Sequence, residues 1–377
     1  MLHARFHPRL DAIEAADWDV LVADDNPFVG HAFLSGLERH GCLSAEYGWQ
    51  PHHLGVYADD RLVAAAPLYL KGNSHGEFVF DWSWAAAYER HGLAYYPKLL
   101  AGVPYSPVTG PRLLAGRGED AAALRRVLVG LIERETERLG LSSAHANFVA
   151  DADAAALADA GWLARGDWQF HWHNRGWRDF DDFLGALASK KRKNIRHERA
   201  QVARAGVHCT PMLGGDLDEA TWDAVHRLYR RTFDAHGNYA ALTPAFFRHL
   251  GRALPTRSLV VLCRHGSELI AMALFLRSAD TLYGRYWGAE TEVPGLHFEA
   301  CYYQGIDYCL REGLARFEPG AQGEHKVARG FLPVATRSFH HVVDGRFRAA
   351  IADALRAEAR ALEDYRRDVL AHTPYTA

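Results

Sequence analysis

The chain has 377 residues, more than one average domain, and its 49% hydrophobic content is enough to bury a sizeable core. With a net charge of -3 and 24% charged residues, bulk charge excludes a general polyanion binder, so any phosphate contact must come from a local patch. Five scattered cysteines without a CxxC pair argue against a disulfide framework and a structural zinc site.

The opening residues, Met1-Leu2-His3-Ala4-Arg5, lack the apolar core of a signal peptide, and no run of about 18 apolar residues offers a membrane span. A cytoplasmic, reduced setting is therefore expected. Pro27-Phe28 and Ala32-Phe33-Leu34 precede the first regular pattern. His53 to Val56, a turn at Asp59-Asp60, Leu62 to Leu70, a break at Gly72-Asn73-Ser74 and Phe78 to Ala85 predict three consecutive antiparallel strands. Leu124, Val127, Leu128, Leu131, Ile132 and Leu139 recur at helical spacing, with arginines and glutamates opposite. The basic run from Ser189 to Arg199 predicts a largely exposed helix capped by Ser189 and stopped by Gly206. Val225, Leu228, Tyr229 and Phe233 predict another helix, and Thr243-Pro244 suits the start of the next. Ser258 to Val261, a turn at His265-Gly266, Leu269 to Leu276, a break at Ala279-Asp280 and Leu282 to Ala289 predict a second meander. Arg346 to Leu370, rich in Ala, Arg, Glu and Leu, predicts a closing helix.

The two meanders share one plan at an offset of about 205 residues. Both third strands end in aromatics, Tyr95-Tyr96 is answered by Tyr302-Tyr303, and phenylalanines precede both meanders. This predicts an internal duplication. The expected lobes are residues 1–170 and 171–345, the second opening with the basic helix 189–205, followed by a closing helix and tail at 346–377.

A helix, a three-stranded meander, a helix and further strands resembles a GNAT acetyltransferase lobe, and two lobes in tandem resemble the FemABX aminoacyltransferases. Phe78 to Trp84, Tyr95-Tyr96-Pro97-Lys98 and Pro107-Val108-Thr109-Gly110-Pro111 are similar to a FemAB-like family of predicted bacterial N-acyltransferases, once classed as a domain of unknown function. So are Leu296 to Glu299 with Cys301 to Gly305, and Phe317 to Lys326 continuing through Arg329-Gly330-Phe331. The likeness covers about residues 10–370. It implies an α/β (α+β) fold of two tandem GNAT-like acyltransferase lobes, each a mixed, largely antiparallel sheet flanked by helices. It also implies acyl transfer to an amine, without fixing a substrate. One feature departs from the GNAT pattern. The glycine loop that holds the coenzyme A pyrophosphate has no clean copy, and Pro294-Gly295-Leu296 is a poor substitute. That tilts the expectation toward a donor other than coenzyme A.

Acyl transfer to an amine calls for a base, donors for the oxyanion and an acid for the leaving group. Glu318, Glu324 and His325, as candidate catalytic groups, and Lys326 and Arg329, as candidate substrate-binding groups, cluster among Gly320, Gly323 and Gly330, with Glu318 at a predicted strand end. Lys326 with Arg329-Gly330-Phe331 also resembles the Lys-x-Gly-Phe ending of FemABX chains. On the following grounds Glu299 is a candidate base and Tyr302 a candidate acid: they lie three apart and would share a helix face, with Tyr303 close by. Arg285, Tyr286 and Trp287 end a predicted strand, with Asp81 and Trp84 as counterparts, and Lys98 follows Tyr96-Pro97. These are candidate substrate residues, against the alternatives of core aromatics and a surface lysine. Lys190, Lys191, Arg192 and Arg196 would suit phosphate or RNA, against the alternative of a solvated face; the run resembles the junction between FemABX lobes. His297, Glu299, Glu324 and His325 lack HExxH-type spacing, so no metal is expected.

The expected enzyme is thus an N-acyltransferase or aminoacyltransferase working by direct attack, with no tightly bound cofactor. Its co-substrate would be acyl-CoA, acyl-carrier protein or aminoacyl-tRNA. Its acceptor would be a small-molecule or peptide amine, with tRNA or acyl-carrier protein as partner and no DNA. The rival expectation is a catalytically silent double lobe that binds a metabolite or RNA in a cleft.

Overall fold

The computed structural model describes residues 2–118, 120–320 and 323–376. Ala321 and Gln322 of the glycine-rich motif, and the terminal residues Met1 and Ala377 of the expected lobe bounds, lie outside the described residues. The chain divides into two compact units, Met1–Asp167 with Ala335–Asp364, and Trp168–Val334 with Tyr365–Ala377. The strands in chain order are β1 (Leu2–His7), β2 (Trp49–Pro51), β3 (His53–Ala58), β4 (Arg61–Ala66), β5 (Leu68–Lys71), β6 (Lys98–Ala101) and β7 (Ser143–Ala146). They continue with β8 (Leu163–His173), β9 (Val207–Leu213), β10 (Ser258–His265), β11 (Glu268–Arg277), β12 (Thr281–Ala289), β13 (Arg316–Glu318) and β14 (Leu332–Val342).

In the first unit, β1, β3 and β4 form an antiparallel sheet. A second sheet runs β2-β5-β6-β7-β14, with only β6 and β7 parallel. The predicted strand from Leu62 to Leu70 is split at Pro67, which has no N–H to donate, so β4 and β5 join different sheets. The predicted third strand is a correction. Phe78 has φ 62, in the left-handed region, and Trp82–Arg90 is a helix. Ala85-Ala86-Ala87 favours the helix, and Trp84 and Tyr88, four apart, bury one face of it. The helix Ala121–Arg138 forms as its spacing predicts and buries Leu128, Val129 and Ile132 against Leu54, Val56 and Leu99.

In the second unit the predicted meander forms as β10, β11 and β12, paired antiparallel. The sheet order is β8-β13-β12-β11-β10-β9, with β12 and β13 parallel. Thr243 caps the helix Pro244–Ala253, its hydroxyl accepting from the Phe246 N–H at 3.2 Å, with Pro244 in the first turn. Ser189 does not cap: the helix Ser189–Arg204 has Ala188 as its N-cap, and its apolar Ile195 and Val202 are buried. The closing helix spans Gly345–Ala371. No helix among the described residues is long and apolar enough to cross a membrane.

The helix Glu219–Ala235 presses on β12 where Gly288 sits: a Cβ there would lie 2.1 Å from the Leu228 carbonyl oxygen. Two backbones meet, so neither yields cheaply. Gly288→Ala should lower stability by about 2–3 kcal/mol, read as a drop in Tm by thermal unfolding. An unchanged Tm would mean the helix and strand are less tightly apposed.

Candidate active site

The predicted site residues of the second unit come together on three segments. The first is β12. Leu274 faces Tyr286 and Phe275 faces Gly284, which leaves Arg285 as the extra residue of a β-bulge. A bulge re-aims a side chain without ending the strand. The Arg285 side chain is only 5% exposed and lies 3.9 Å from the Glu318 carboxylate, at the end of β13. Burial lowers the Arg285 pKa, and Glu318 opposes that.

The second segment is a helix that changes pitch. Leu296–Phe298 is α-helical, Glu299–Tyr303 forms a π turn, and Gln304–Glu312 is α-helical again. In a π turn, residues five apart share a face. Accordingly Gln304 Nε2 donates to Glu299 Oε1 at 2.7 Å. Arg199 reaches the same carboxylate with two bonds, at 3.0 and 3.1 Å. Glu299 lines one surface cavity with Arg199 and Cys209, whereas Tyr302 lines another with Arg285, Tyr286, Trp287 and His297. The shared face expected for Glu299 and Tyr302 is thus absent. The α-helical spacing rule does not hold through a π turn, and both Glu299 oxygens already accept bonds.

The third segment is the 3-10 helix Glu324–Arg329. The Tyr302 hydroxyl and His325 Nε2 are hydrogen-bonded at 2.8 Å. Burial, Arg329 and Lys326 all lower the His325 pKa, so the ring is neutral near neutrality and can accept there. Burial raises the Tyr302 pKa, so its proton stays on. Tyr302 is buried and His325 exposed, which makes the pair a hydrogen-bonded link from the cavity to the surface. Lys326 is 2% exposed and donates to the Gly320 carbonyl at 2.7 Å. Burial first, and then Arg285, lower its pKa from 10.5 to about 7. Arg329 donates to Glu198 at 2.6 Å and to the Tyr303 hydroxyl at 3.0 Å, while Tyr303 in turn donates to Glu198. Glu324 is exposed and accepts from Tyr365 at 2.8 Å, so it stands apart from the cavity. The cavity holding Tyr302 is about 120 Å³ and adjoins one of about 520 Å³, with Trp287 and His297 lining both. Burial lowers the His297 pKa to about 4.

The basic helix is less uniform than its composition suggests. Arg192 donates to the Gly185 and Leu187 carbonyls, and Arg196 pairs with Asp181 at 3.2 Å. Lys190 and Lys191 have no side-chain partner among the described residues; Lys190 is exposed and Lys191 half-buried. Glu198 and Arg199, inside the same run, were not singled out by the sequence; opposite charges in a basic run are the signal.

In the first unit, Asp81, Trp84 and Lys98 are 1%, 8% and 1% exposed, so none is a surface group, and Asp81 and Trp84 belong to a helix start instead of a strand end. Asp81 precedes the helix Trp82–Arg90, and Trp84 packs within it against Tyr88 and Tyr95. Lys98 donates to Glu77 at 2.6 Å and also to Asp81. Asp81 further accepts from Tyr95 at 2.5 Å, Tyr96 at 3.1 Å and Ser74. Burial works against the Lys98 charge, but Glu77 and Asp81 outweigh it and raise its pKa. The sequence also passed over Gly116 and Gly118, which precede the helix Ala121–Arg138 and line a cavity of about 680 Å³. Arg61 and Arg117 line it too, but so do Asp17 and Asp120, and Arg117 already donates to the Ala23 carbonyl at 2.7 Å. No group of three or more metal-ligating side chains occurs among the described residues.

Residues 9–377 match the FemAB-like family, described as peptidoglycan biosynthesis/recognition. Among solved structures the chain is similar to FemX, at 10% identity and TM-score 0.52, covering 93% of this chain and 100% of that one. It is also similar to L-PGS from Bacillus licheniformis, at 9% identity and TM-score 0.52, covering 89% and 98%. A tandem GNAT protein from the clavulanic acid biosynthesis pathway matches at 13% identity and TM-score 0.47, covering 91% and 98%. No curated protein matches the sequence. Identities this low speak to fold alone, but the family match spans nearly the whole chain. The protein belongs to the FemAB-like family, and its fold is α/β, with mixed, largely antiparallel sheets flanked by helices.

Proposed function

We propose that this protein moves an acyl or aminoacyl group from an ester or thioester to an amine by direct attack, in its second unit. The observation that carries this reading is the buried Tyr302 hydroxyl bonded to exposed His325 at 2.8 Å, in the segment that also holds Lys326 near neutrality. Family membership and fold support the reaction class.

The attacking amine arrives as an ammonium and must lose a proton. Neutral Lys326 accepts it, being within electrostatic reach of Arg285 and Cys301, which both line the Tyr302 cavity. The new C–N bond places negative charge on the carbonyl oxygen, which the Arg285 guanidinium stabilises. The nitrogen gives up its second proton to solvent as the C–O or C–S bond breaks, and the leaving group takes the Tyr302 proton, which His325 replaces from solvent. Glu299 is left out because Arg199 and Gln304 hold it. Burial raises the Cys301 pKa and keeps it a thiol, which disfavours a covalent intermediate there.

The cavity of about 520 Å³ before the helix at Leu296 contains Glu292 and no lysine or arginine, which suits a pyrophosphate poorly. Unpartnered Lys190 and Lys191 suit a phosphate-rich donor. Both features favour aminoacyl-tRNA over acyl-CoA. The family description supports a peptidoglycan-precursor amine as acceptor.

The test offers charged tRNA and acyl-CoA donors with a peptide amine and detects product by mass. The rate of the wild-type protein should rise with pH through about 7, as Lys326 becomes neutral. Lys326→Met should lose that limb and at least about 100-fold in rate. Tyr302→Phe should lose about 10–100-fold, and His325→Gln less. Full activity in both Lys326→Met and Tyr302→Phe would sink the assignment. Donor binding without transfer in the wild-type protein would replace it with a binding role.

Stability supplies an independent check. Between about 7 and 10.5 the unfolded chain holds the Lys326 proton that the folded chain releases, so stability rises with pH across that window. Lys326→Met removes the cost of burying the ammonium. Its Tm should exceed that of wild type most at and below about pH 7 and converge toward pH 10.5. A Tm gap that ignores pH would mean Lys326 is not a buried titrating amine.

A further inference from the structure

Cys209 on β9 and Cys263 on β10 are direct partners in the antiparallel ladder. Residues paired this way point to the same face, with Cα atoms about 4.5–5.5 Å apart, inside the range a disulfide spans. Their sulfurs lie 3.1 Å apart, the Cys209 S–H donating to Cys263 Sγ. Both are free thiols. Cys263 is fully buried, whereas Cys209 is partly exposed and lines a surface cavity of about 370 Å³ with Arg199, His208 and Glu299. One sulfur is therefore open to a reagent, and the other waits behind it. This is the arrangement of an attacking and a resolving thiol.

We propose that Cys209 and Cys263 form a dithiol modification site that takes low-molecular-weight disulfides and closes into a cross-strand disulfide. This holds whether or not the proposed acyl transfer does. Cys209 releases its proton to solvent and attacks the reagent disulfide. A Cys209–reagent S–S bond forms, the reagent's own S–S bond breaks, and one thiol leaves. Cys263 then loses its proton and attacks the Cys209 sulfur, which expels the second thiol. The protein gives up two electrons and two protons, and the reagent is reduced to two thiols. Cys263 shares the core that contains Ala300, Tyr302 and Tyr303, so the new bond ties β9 to β10 beneath the π turn.

The experiment incubates the native protein with oxidised glutathione, followed by intact mass and a non-reducing digest. The expected product has lost two hydrogens, about 2 Da, carries a Cys209–Cys263 linked peptide, and reverts on reduction. Cys263→Ser should instead trap glutathione on Cys209 as a stable adduct of about 305 Da. Cys209→Ser should show neither link nor adduct at Cys263. Each variant is first checked for a wild-type Tm in reducing buffer, so that unfolding is not mistaken for reactivity. A wild-type protein that keeps glutathione on Cys209, links Cys209 to Cys301, or reacts at neither position while folded would overturn the proposal.

Discussion

The second unit turns on two adjacent residues of opposite charge. Glu198 and Arg199 leave one helix and take separate partners: Arg329 and Tyr303 for Glu198, Glu299 for Arg199. Between them they hold the helix Ser189–Arg204, the π turn and the 3-10 helix Glu324–Arg329 in one arrangement. The approach is close enough that Gly295 has no room for a side chain, since a Cβ would meet the Glu198 carbonyl at 2.9 Å. Partly buried pairs of this kind add little net stability, but losing one member strands the other at a cost of about 3–5 kcal/mol. Their effect is therefore chiefly one of geometry. With the π turn fixed, Tyr302 faces the cavity and His325 meets its hydroxyl.

That constraint explains which parts of the site could be read from sequence. Arg285, Tyr286, Trp287 and Tyr302 line one cavity, and each was visible as a strand end or as an aromatic on a helix. Glu299 was visible as well, but its role depends on helix pitch. Spacing of three or four predicts neighbours only in an α-helix, and the switch to a π turn at Glu299–Tyr303 made Gln304 its companion instead. Nothing in the pattern of apolar residues announces such a turn. The pairing of Arg199 with Glu299 spans 100 positions and is likewise invisible to local periodicity.

The fold was legible where burial follows a simple period. The helices Ala121–Arg138, Glu219–Ala235 and Gly345–Ala371 and the meander of β10 to β12 follow it. The first meander misled because burial alternates without a strand. Glu77 and Asp81 point inward to Lys98, while Phe78, Phe80 and Trp82 are exposed. Alternation of that kind in the sequence looks extended. Here it arises from a loop and a helix start folded over a buried ion cluster, so the inward residues are charged and the outward ones aromatic. Inverted polarity was the available clue.

The same contrast separates two lysines with similar chemistry. Burial brings both Lys71 and Lys326 to a pKa of about 7. Lys71 is fully buried, lies 3.8 Å over the Trp49 ring, and sits among Glu77, Asp81 and Lys98, all likewise buried. Lys326 belongs to a short segment whose preceding residue, His325, is exposed and bonds the hydroxyl of a tyrosine that lines a cavity. A perturbed pKa sets the charge state a group can reach, but turnover also needs space for a reactant and an exit for the proton. Arg285 and Cys301, whose charges Lys326 feels, line the cavity that holds Tyr302, and His325 beside it is exposed. Lys71 is held as part of a closed cluster, where the same shift in pKa serves packing.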